Sequence, residues 1–313
     1  MKKVILAVII ALYCLSACNT VTLDDKPPES SGSSVEKPFS IADIDRSLYD
    51  SVEDKEIVYV LTKTGENAPA KCVDENGISY LGEAPEKQIW LLSKNGKTLN
   101  NEPFTAFDCM VDQPEWWVFG IRDGVLYPYF VNESTGEFTE EQPWEANPEE
   151  IFGYTVYKYY WDTHNPYYGL TAPDGSAFAE PIYNRILLPF SDRIILFGGN
   201  NQIIAKSVCT IMNAEKEILS ECFNYVDYTV FSDGSYIGTA MCGKNDADGK
   251  LQLYDSTGAP MPDGYWFIDK DGNIISERFD YIPAVTSPSD TFTAVDENGN
   301  TIEIKASDYI CKP

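Results

Sequence analysis

The sequence predicts an all-β fold made of tandem repeats of about 40 residues, arranged like a β-propeller. From residue 40 onward, short stretches rich in Tyr, Phe, Ile and Val alternate with turn residues about every 8 to 12 positions, which is typical of successive short strands. One pattern of strand, glycine turn and strand recurs along the chain. A second pattern, Phe-Ser-Asp, keeps a similar spacing at residues 190–192 and 231–233.

The recurring unit is an apolar strand, a polar turn and a second strand that carries an aromatic residue seven or eight positions after the turn. The turn positions are Gly96, Gly136, Gly175, Lys216 and Gly272. The aromatic residues Phe104, Trp144, Tyr183, Phe223 and Phe279 are 40, 39, 40 and 56 residues apart. The longest interval contains KNDADGKLQLYDSTGAP, which indicates an inserted hairpin.

Each unit has room for four short strands, which is the content of a propeller blade. In the third unit we expect these strands to be YYGLTA, AFAEPIY, RIILFG and QIIAKSV. The chain has room for roughly six blades, and closing the ring would hide the edge strands. An open β-solenoid or hairpin array is the alternative. The one predicted helix is short, near residues 40–52, with Ser40 as its N-cap.

The N-terminus carries an export signal. Lys2 and Lys3 precede a nearly all-apolar stretch from Val4 to Leu15, which is too short to span a bilayer and fits the hydrophobic region of a signal peptide. It ends in Leu-Ser-Ala-Cys18, which resembles the bacterial lipoprotein signal. That resemblance implies cleavage before Cys18, acylation of this cysteine with chains such as palmitate, and an exported protein anchored to the bacterial cell envelope.

These features divide the chain into three parts. Residues 1–17 are the predicted signal peptide. Residues 18–39 are rich in Pro, Ser, Gly and charge, so we expect a flexible tether. Residues 40–313 are expected to form a single β-repeat domain.

The net charge restricts the partners. It is −26 for the whole chain and becomes −28 once Lys2 and Lys3 are removed with the signal peptide. So acidic a protein repels phosphate backbones, and we therefore expect no nucleic-acid partner. We expect contact with the membrane through the N-terminal lipid only, no cofactor, and a monomer.

Six cysteines follow Cys18, and their even number in an exported chain permits disulfides. If Glu215-Lys216 forms a two-residue hairpin turn, Cys209 and Cys222 face each other, with Cβ atoms about 4.5–5.5 Å apart. We therefore predict a disulfide between these two residues. The sequence leaves open the pairing of Cys72, Cys109, Cys242 and Cys311.

Two stretches resemble bacterial WG repeats: YYGLTAPDGSAFAEPIYNRILLPFSDRIIL, within residues 167–200, and GYWFIDKDGNIISERFDYI, within residues 263–300. Tyr168-Gly169 and Trp266-Phe267 stand where that family carries Trp-Gly. The resemblance implies tandem β repeats on an exported bacterial protein with a binding or unassigned role. It implies no catalytic residue.

The sequence contains no recognisable catalytic or metal motif. The single histidine, His164, precedes the turn signal Asn-Pro, so we expect it to lie in a surface loop, and no G-x-S-x-G or H-E-x-x-H occurs. The acidic stretches Asp269–Asn273 and Asp296–Asn298 do not complete a calcium loop, and we interpret them as hairpin turns. We therefore expect no catalytic residue and no metal site.

Aromatic residues are the best indication of binding. We select Trp116, Trp117, Tyr160, Trp161 and Tyr167 as candidate ligand-facing residues, and expect one of the two adjacent tryptophans to be exposed because strand side chains alternate. The leading hypothesis is a binding or scaffolding module for protein or glycan ligands. The alternatives are a hydrolase, such as a glycan-degrading enzyme, that uses a carboxylate pair, and a structural component of the envelope.

Overall fold

A computed structural model describes residues 39–75, 78–112, 115–132, 135, 137–144, 147–198, 208–243, 253, 263–296 and 298–312. The segment Phe39–Pro313 forms one compact unit. The predicted signal peptide, Cys18, all of the predicted tether except Phe39, Gly136 and nearly all of the predicted inserted hairpin lie outside the described residues.

The described part of this unit is built from antiparallel strands, which confirms the prediction of an all-β repeat architecture. The strands are β1 (Ser51–Asp54), β2 (Val58–Val73), β3 (Ser79–Ser93), β4 (Ala106–Asp112), β5 (Glu115–Arg122), β6 (Val125–Val131), β7 (Phe138–Glu140), β8 (Glu149–Ile151), β9 (Tyr154–Tyr160), β10 (Pro166–Thr171), β11 (Ala177–Tyr183), β12 (Arg185–Phe190), β13 (Arg193–Gly198), β14 (Val208–Asn213), β15 (Ile218–Phe223), β16 (Tyr225–Val230), β17 (Tyr236–Cys242), β18 (Gly264–Ile268), β19 (Phe279–Tyr281), β20 (Thr291–Asp296) and β21 (Thr301–Lys305).

These strands form five open sheets, each of them a meander in which strands adjacent along the chain pair. Sheet A contains β1–β3, sheet B β4–β7, sheet C β8–β11, sheet D β12–β15 and sheet E β16–β21. The prediction of four strands per unit therefore matches sheets B, C and D. The ring of six blades stays a prediction.

The prediction of a helix near residues 40–52 is wrong. Two single 3-10 turns, Ile41–Asp43 and Arg46–Leu48, stand there, and β1 follows them. Ser40 stands at the N-cap of the first turn, as expected, and its N–H and Oγ each donate to Oδ2 of Asp43 at 2.8 Å. Ile44 is extended, with φ −83° and ψ 126°, which ends the turn. Pairing of β1 with β2 then holds the chain as a strand.

The recurring hairpin turn is built in the same way at six places in the described residues. The N–H of the first residue donates to the carbonyl four positions later, and its own carbonyl accepts from the N–H three positions later. The residue before the last is left-handed, as in a type I turn followed by a bulge. The turns are Ser93–Lys97, Ala172–Ser176, Asn213–Glu217, Phe231–Ser235, Asp269–Asn273 and Asp296–Asn300. The left-handed residues are Gly96, Gly175, Lys216, Gly234, Gly272 and Gly299.

The acidic residues of these turns stabilise the turns themselves. Oδ1 of Asp269 accepts the N–H groups of Asp271 and Asn273, each at 2.9 Å. Asp296 accepts those of Asn298 and Asn300 at 2.9 and 2.8 Å. The interpretation of both stretches as hairpin turns is therefore confirmed.

The boundaries of the repeat differ from the prediction. In sheets C and D the recurring hairpin supplies the third and fourth strands, as β10 and β11 do in sheet C, and the sheet after sheet C begins at β12. RIILFG therefore lies in sheet D, and all but the last residue of QIIAKSV lies outside the described residues. A periodic sequence gives the length of a unit but not the residue at which one sheet ends.

The sheets pack through buried apolar clusters. Sheets A and B share a core in which the ring of Phe104 lies against Gly120. Sheet D packs against sheet C through Ile194 and Leu196, and against sheet E through Ile195 and Phe197. The N-terminal segment covers the second face of sheet A. Sheet D thus buries both of its faces.

The hairpin of β2 and β3 is much longer than the rest of sheet A. These strands have 16 and 15 residues, and their distal halves reach sheet C. There Nζ of Lys71 donates to the hydroxyl of Tyr167 at 2.8 Å and lies 4.2 Å from the centre of its ring. We call the distal part of the hairpin, residues 67–73 and 79–85, the arm.

Substitution of two turn glycines separates backbone strain from packing. Gly175 is left-handed, with no atom within 4 Å of the position of an added Cβ, so Gly175→Ala should cost about 1 kcal/mol of unfolding free energy. At Gly272 the added Cβ would lie 2.7 Å from Cβ of Ser220 and 2.8 Å from Cδ1 of Ile211. Gly272→Ala should therefore cost about 1–3 kcal/mol more. Urea unfolding measures both; equal losses would contradict this packing of the turn on sheet D.

Candidate functional site

The two adjacent tryptophans of β5 lie on opposite faces of sheet B. Trp116 is 9% exposed and packs in the core shared with sheet A, next to Val118. Trp117 is half-buried and lies on the other face, as Phe119 does. The alternation expected from the sequence is confirmed, with Trp117 as the more exposed of the pair.

The face that carries Trp117 is covered with large apolar side chains. Met110 pairs with Trp117, which in turn pairs with Phe130. The ring centres of Trp117 and Phe119 are 6.2 Å apart, and those of Trp117 and Phe130 are 5.6 Å apart. Trp144 contacts Phe119 at 5.8 Å. We call this set the aromatic face: Met110, Trp117, Phe119, Phe130 and Trp144.

Much of the aromatic face is open to solvent. Met110 is 56% exposed and Trp144 is 55% exposed. Trp144 occupies the aromatic position of the repeat, at which Phe104, Phe223 and Phe279 are 0, 1 and 0% exposed. The same position in the repeat is thus fully buried in three other units. Among the described residues, this face of sheet B therefore lacks the cover that the equivalent residues have.

The arm lies on sheet C, beside sheet B. It packs against the side of sheet C that carries Tyr159 and Tyr167, which pair across β9 and β10. Sheet B meets sheet C at a turn, where the N–H of Tyr160 donates to the carbonyl of Gly124 at 2.8 Å. The arm thus covers part of the side of sheet C that carries Tyr159 and Tyr167.

A groove lies between the arm and the end of β9. Its volume is about 240 Å³, and its walls include Pro69 and Pro85 of the arm and Tyr159, Tyr160 and Trp161. The indole Nε1 of Trp161 donates to the carbonyl of Pro181 at 2.7 Å, which fixes the ring. Tyr159 and Trp161 have ring centres 4.6 Å apart.

The tyrosine hydroxyls of the groove remain protonated at neutral pH. Burial raises the pKa of Tyr159, and the charges of Asp123 and Glu86 raise it further. Burial also raises the pKa of Tyr160, with Tyr168 adding to the effect. Both groups can therefore donate hydrogen bonds to a ligand, in addition to the apolar contact of their rings.

The groove and the aromatic face are neighbours. The loop after Trp161 carries His164, whose side chain is 73% exposed, with Nε2 3.8 Å from Oδ2 of Asp108. Asp108 pairs with Phe119 and so lies on the aromatic face. Asp162 fixes the loop, because its Oδ1 accepts the N–H of His164 at 2.9 Å. The predicted placement of His164 in a surface loop is confirmed.

Of the five predicted ligand-facing aromatics, two are buried and three are partly exposed. Trp116 and Tyr167 are each 9% exposed and belong to packed interiors, so selecting them was wrong. Trp117, Tyr160 and Trp161 are partly exposed and border the surfaces described above. Sequence reasoning missed Met110, Phe119, Phe130 and Trp144. Alternation from Trp117 points to Phe119, whereas placing Met110 and Phe130 beside it requires the strand register.

The predicted disulfide rested on a wrong register. The loop Ala214–Lys216 has three residues instead of two, and two register shifts along β15 move the pairing further, so that Cys209 lies opposite Phe223. Cys209 and Cys222 are both free thiols in the structure.

Comparison with known proteins gives no further guide: no protein-family model matches the chain, and no match is found among curated proteins. Within the described ranges, no helix is long and apolar enough to cross a membrane. The same residues contain no group of three or more His, Cys, Asp or Glu side chains placed to hold a metal ion. A function must therefore be argued from the surfaces of the molecule.

Truncation of the adjacent tryptophans tests the assignment of the two faces. Trp116→Ala empties a core position and should cost about 3–5 kcal/mol of unfolding free energy. Trp117→Ala removes ring contacts at a partly exposed position and should cost about 1–2 kcal/mol. Chemical denaturation of the two variants measures the difference, and a larger loss for Trp117→Ala would invert the assignment.

Proposed function

We propose that this chain is a lipid-anchored bacterial surface protein that acts as a binding module, and that its ligand docks on the aromatic face of sheet B. The observation that carries the proposal is the exposure of Met110 and Trp144 beside three partly exposed aromatic rings. Contiguous exposed apolar surface marks interaction sites in soluble proteins. Trp, Phe and Met are also among the residue types enriched in interface cores.

The composition of this face favours a protein ligand over a glycan. A glycan site combines stacking rings with several convergent polar groups. On this face the polar side chains that pair with the aromatic residues are Asp108, opposite Phe119, and Thr139, opposite Phe130. The groove lined by Tyr160 and Trp161 offers hydroxyl groups and is the place where a sugar would find more partners. The two surfaces therefore suit different ligand classes.

The arrangement of the repeats belongs to the same proposal. Sheets B, C and D are consecutive four-stranded meanders, and adjacent sheets C, D and E pack face to face. This supports a propeller-like arrangement of about six units, as the resemblance to WG repeats implies.

Lipid anchoring is tested through the two cysteines of the N-terminal segment. Cys18→Ala should abolish incorporation of labelled fatty acid, because its thiol is the proposed acylation site. Cys14→Ala is the matched control, since Cys14 lies inside the apolar stretch before the cleavage site, and this variant should be labelled normally. Autoradiography of the purified chains measures both, and unchanged labelling of Cys18→Ala would refute the anchor.

Binding is tested with a double variant of the aromatic face. A displayed random-peptide library and an array of glycans, including peptidoglycan fragments, are screened against the full chain. Every binder is then measured against the double variant Trp117→Ala/Trp144→Ala. For a binder that docks on this face, affinity should fall at least about tenfold, because buried tryptophans dominate interface energies.

Tyr281→Ala is the matched control for this experiment. It removes an aromatic residue that is 52% exposed on sheet E, and it should leave affinity unchanged. Peptide binders lost in the double variant would support a protein ligand, and glycan binders lost in it would support a glycan. Binders that tolerate the double variant as well as they tolerate the control would place the binding site elsewhere.

A further inference from the structure

Three cysteines meet at the interface between sheets D and E. Cys209 of β14 is 0% exposed and Cys242 of β17 is 4% exposed, and both belong to the buried cluster that joins the sheets. Cys222 of β15 is partly buried and packs against the same cluster. All three are free thiols. The sequence offers no C-x-x-C motif that would have indicated this grouping.

The strand register does not place Cys222 directly opposite Cys209. Cys209 pairs with Phe223 and Ile211 pairs with Ser220, so β15 has an extra residue between these two pairs. Cys222 lies in this bulge. Its strand, β15, contacts β17 of the neighbouring sheet, and β17 carries Cys242.

The surroundings of Cys242 leave room for a bond. Cys242 pairs with Gly264, and the preceding residue on the same face of β17 is Ala240, so its nearest neighbours in the sheet are small. Burial raises the pKa of the Cys242 thiol to about 11, and the charges of Asp263 and Cys222 raise it further. The influence of Cys222 agrees with the packing, which places both side chains at one cluster.

The pair is accessible to an oxidant. Cys242 lines a surface cavity of about 400 Å³, together with Asp263, Gly264 and Arg278. Cys222 is itself partly exposed. Cys209, by contrast, is fully buried, so an oxidant in solution reaches the other two sulfur atoms first.

We propose that Cys222 and Cys242 form a disulfide that joins sheets D and E in an oxidising compartment. The oxidant is a disulfide compound, such as glutathione disulfide or an oxidised thiol–disulfide oxidoreductase. The Cys222 thiolate attacks one of its sulfur atoms, forming a mixed disulfide and releasing one thiol. The Cys242 thiolate then attacks the Cys222 sulfur and releases the second thiol. Two protein thiols lose two protons and two electrons, and the oxidant is reduced to two thiols.

The bond is independent of ligand binding at the aromatic face. It requires an oxidant, which the proposed export supplies and which can be added to the purified chain. Failure of the disulfide experiment would therefore leave the proposed binding function untouched, and failure of the binding experiment would leave the disulfide untouched.

Peptide mapping distinguishes the two pairings. The purified full chain is incubated with glutathione disulfide, alkylated and cut with trypsin, which cleaves after Lys206, Lys216 and Lys244. Residues 217–244 contain Cys222 and Cys242 and should appear as one peptide, two hydrogen masses lighter and unalkylated. Chymotrypsin then cleaves between the two cysteines, and the halves should stay joined until reduction.

Two outcomes would overturn the proposal. If Cys209 pairs with Cys222, peptide 207–216 will be joined to peptide 217–244. If neither cysteine reacts with the oxidant, both will be alkylated. Either result is read from the unmodified sequence, so the test does not depend on whether a cysteine variant folds.

Thermal unfolding gives a second readout. Oxidation should raise the melting temperature by about 5–10 °C, because the bond closes a loop of the unfolded chain. Cys222→Ser should lose this gain. Cys72→Ser is the matched control, since Cys72 lies in the arm and is also partly exposed, and this variant should keep the gain. If oxidation still raised the melting temperature of Cys222→Ser, the stabilisation would come from another pair of cysteines.

Discussion

A β-sheet with apolar side chains on both faces must be covered on both sides. Sheet D meets this requirement, because Ile194 and Leu196 face sheet C while Ile195 and Phe197 face sheet E. Sheet A also meets it, with sheet B on one side and the N-terminal segment on the other. No described residue covers the aromatic face of sheet B in this way, although its residues are as apolar as those of a core. The main candidate for a functional surface is thus the aromatic face, an apolar face that remains exposed.

The arm differs from the rest of sheet A in composition. The first residues of β2, Val58 to Leu61, are buried in sheet A, whereas the distal part of the hairpin contains Ala68-Pro69 and Ala84-Pro85. Such small or rigid side chains add little to a core. They do allow close approach to Tyr159 and Trp161, which is how the groove forms. The pairing of Lys71 with Tyr167 then holds the arm on sheet C, combining a hydrogen bond with a cation–π contact.

Local features of the fold could be predicted from the sequence, and long-range ones could not. The left-handed positions Gly175 and Gly272 follow from the turn pattern alone, since a glycine tolerates positive φ. The separation of Trp116 and Trp117 follows from strand alternation. The burial of Tyr167 depends on the arm, whose residues are almost 100 positions away. The register of Cys209 failed because a bulge adds a residue without any signature in the letters around it.

The same distinction explains which parts of the candidate site were found. The cluster of tyrosines and tryptophan after β9 is visible as a run of letters, whereas the aromatic face is assembled from three strands and the segment after β7. Each of those segments contributes one or two apolar residues that look like ordinary core positions. Trp144 illustrates this, because its position in the repeat predicts burial, whereas its side chain is 55% exposed. The repeat shows which residues of different units are equivalent. A difference in exposed fraction between equivalent residues then shows which unit carries an open surface.

The charge of the chain and the aromatic face act on different steps of binding. A net charge of −26 creates a long-range field that favours the approach of cationic ligands and weakens as salt increases. Such a field changes the association rate more than the lifetime of a complex. In the proposed complex, Trp117 and Trp144 would act only at contact, where burial of their rings would govern dissociation. Asp108 adds a carboxylate to the same face, because it pairs with Phe119, so the proposed site combines apolar rings with negative charge.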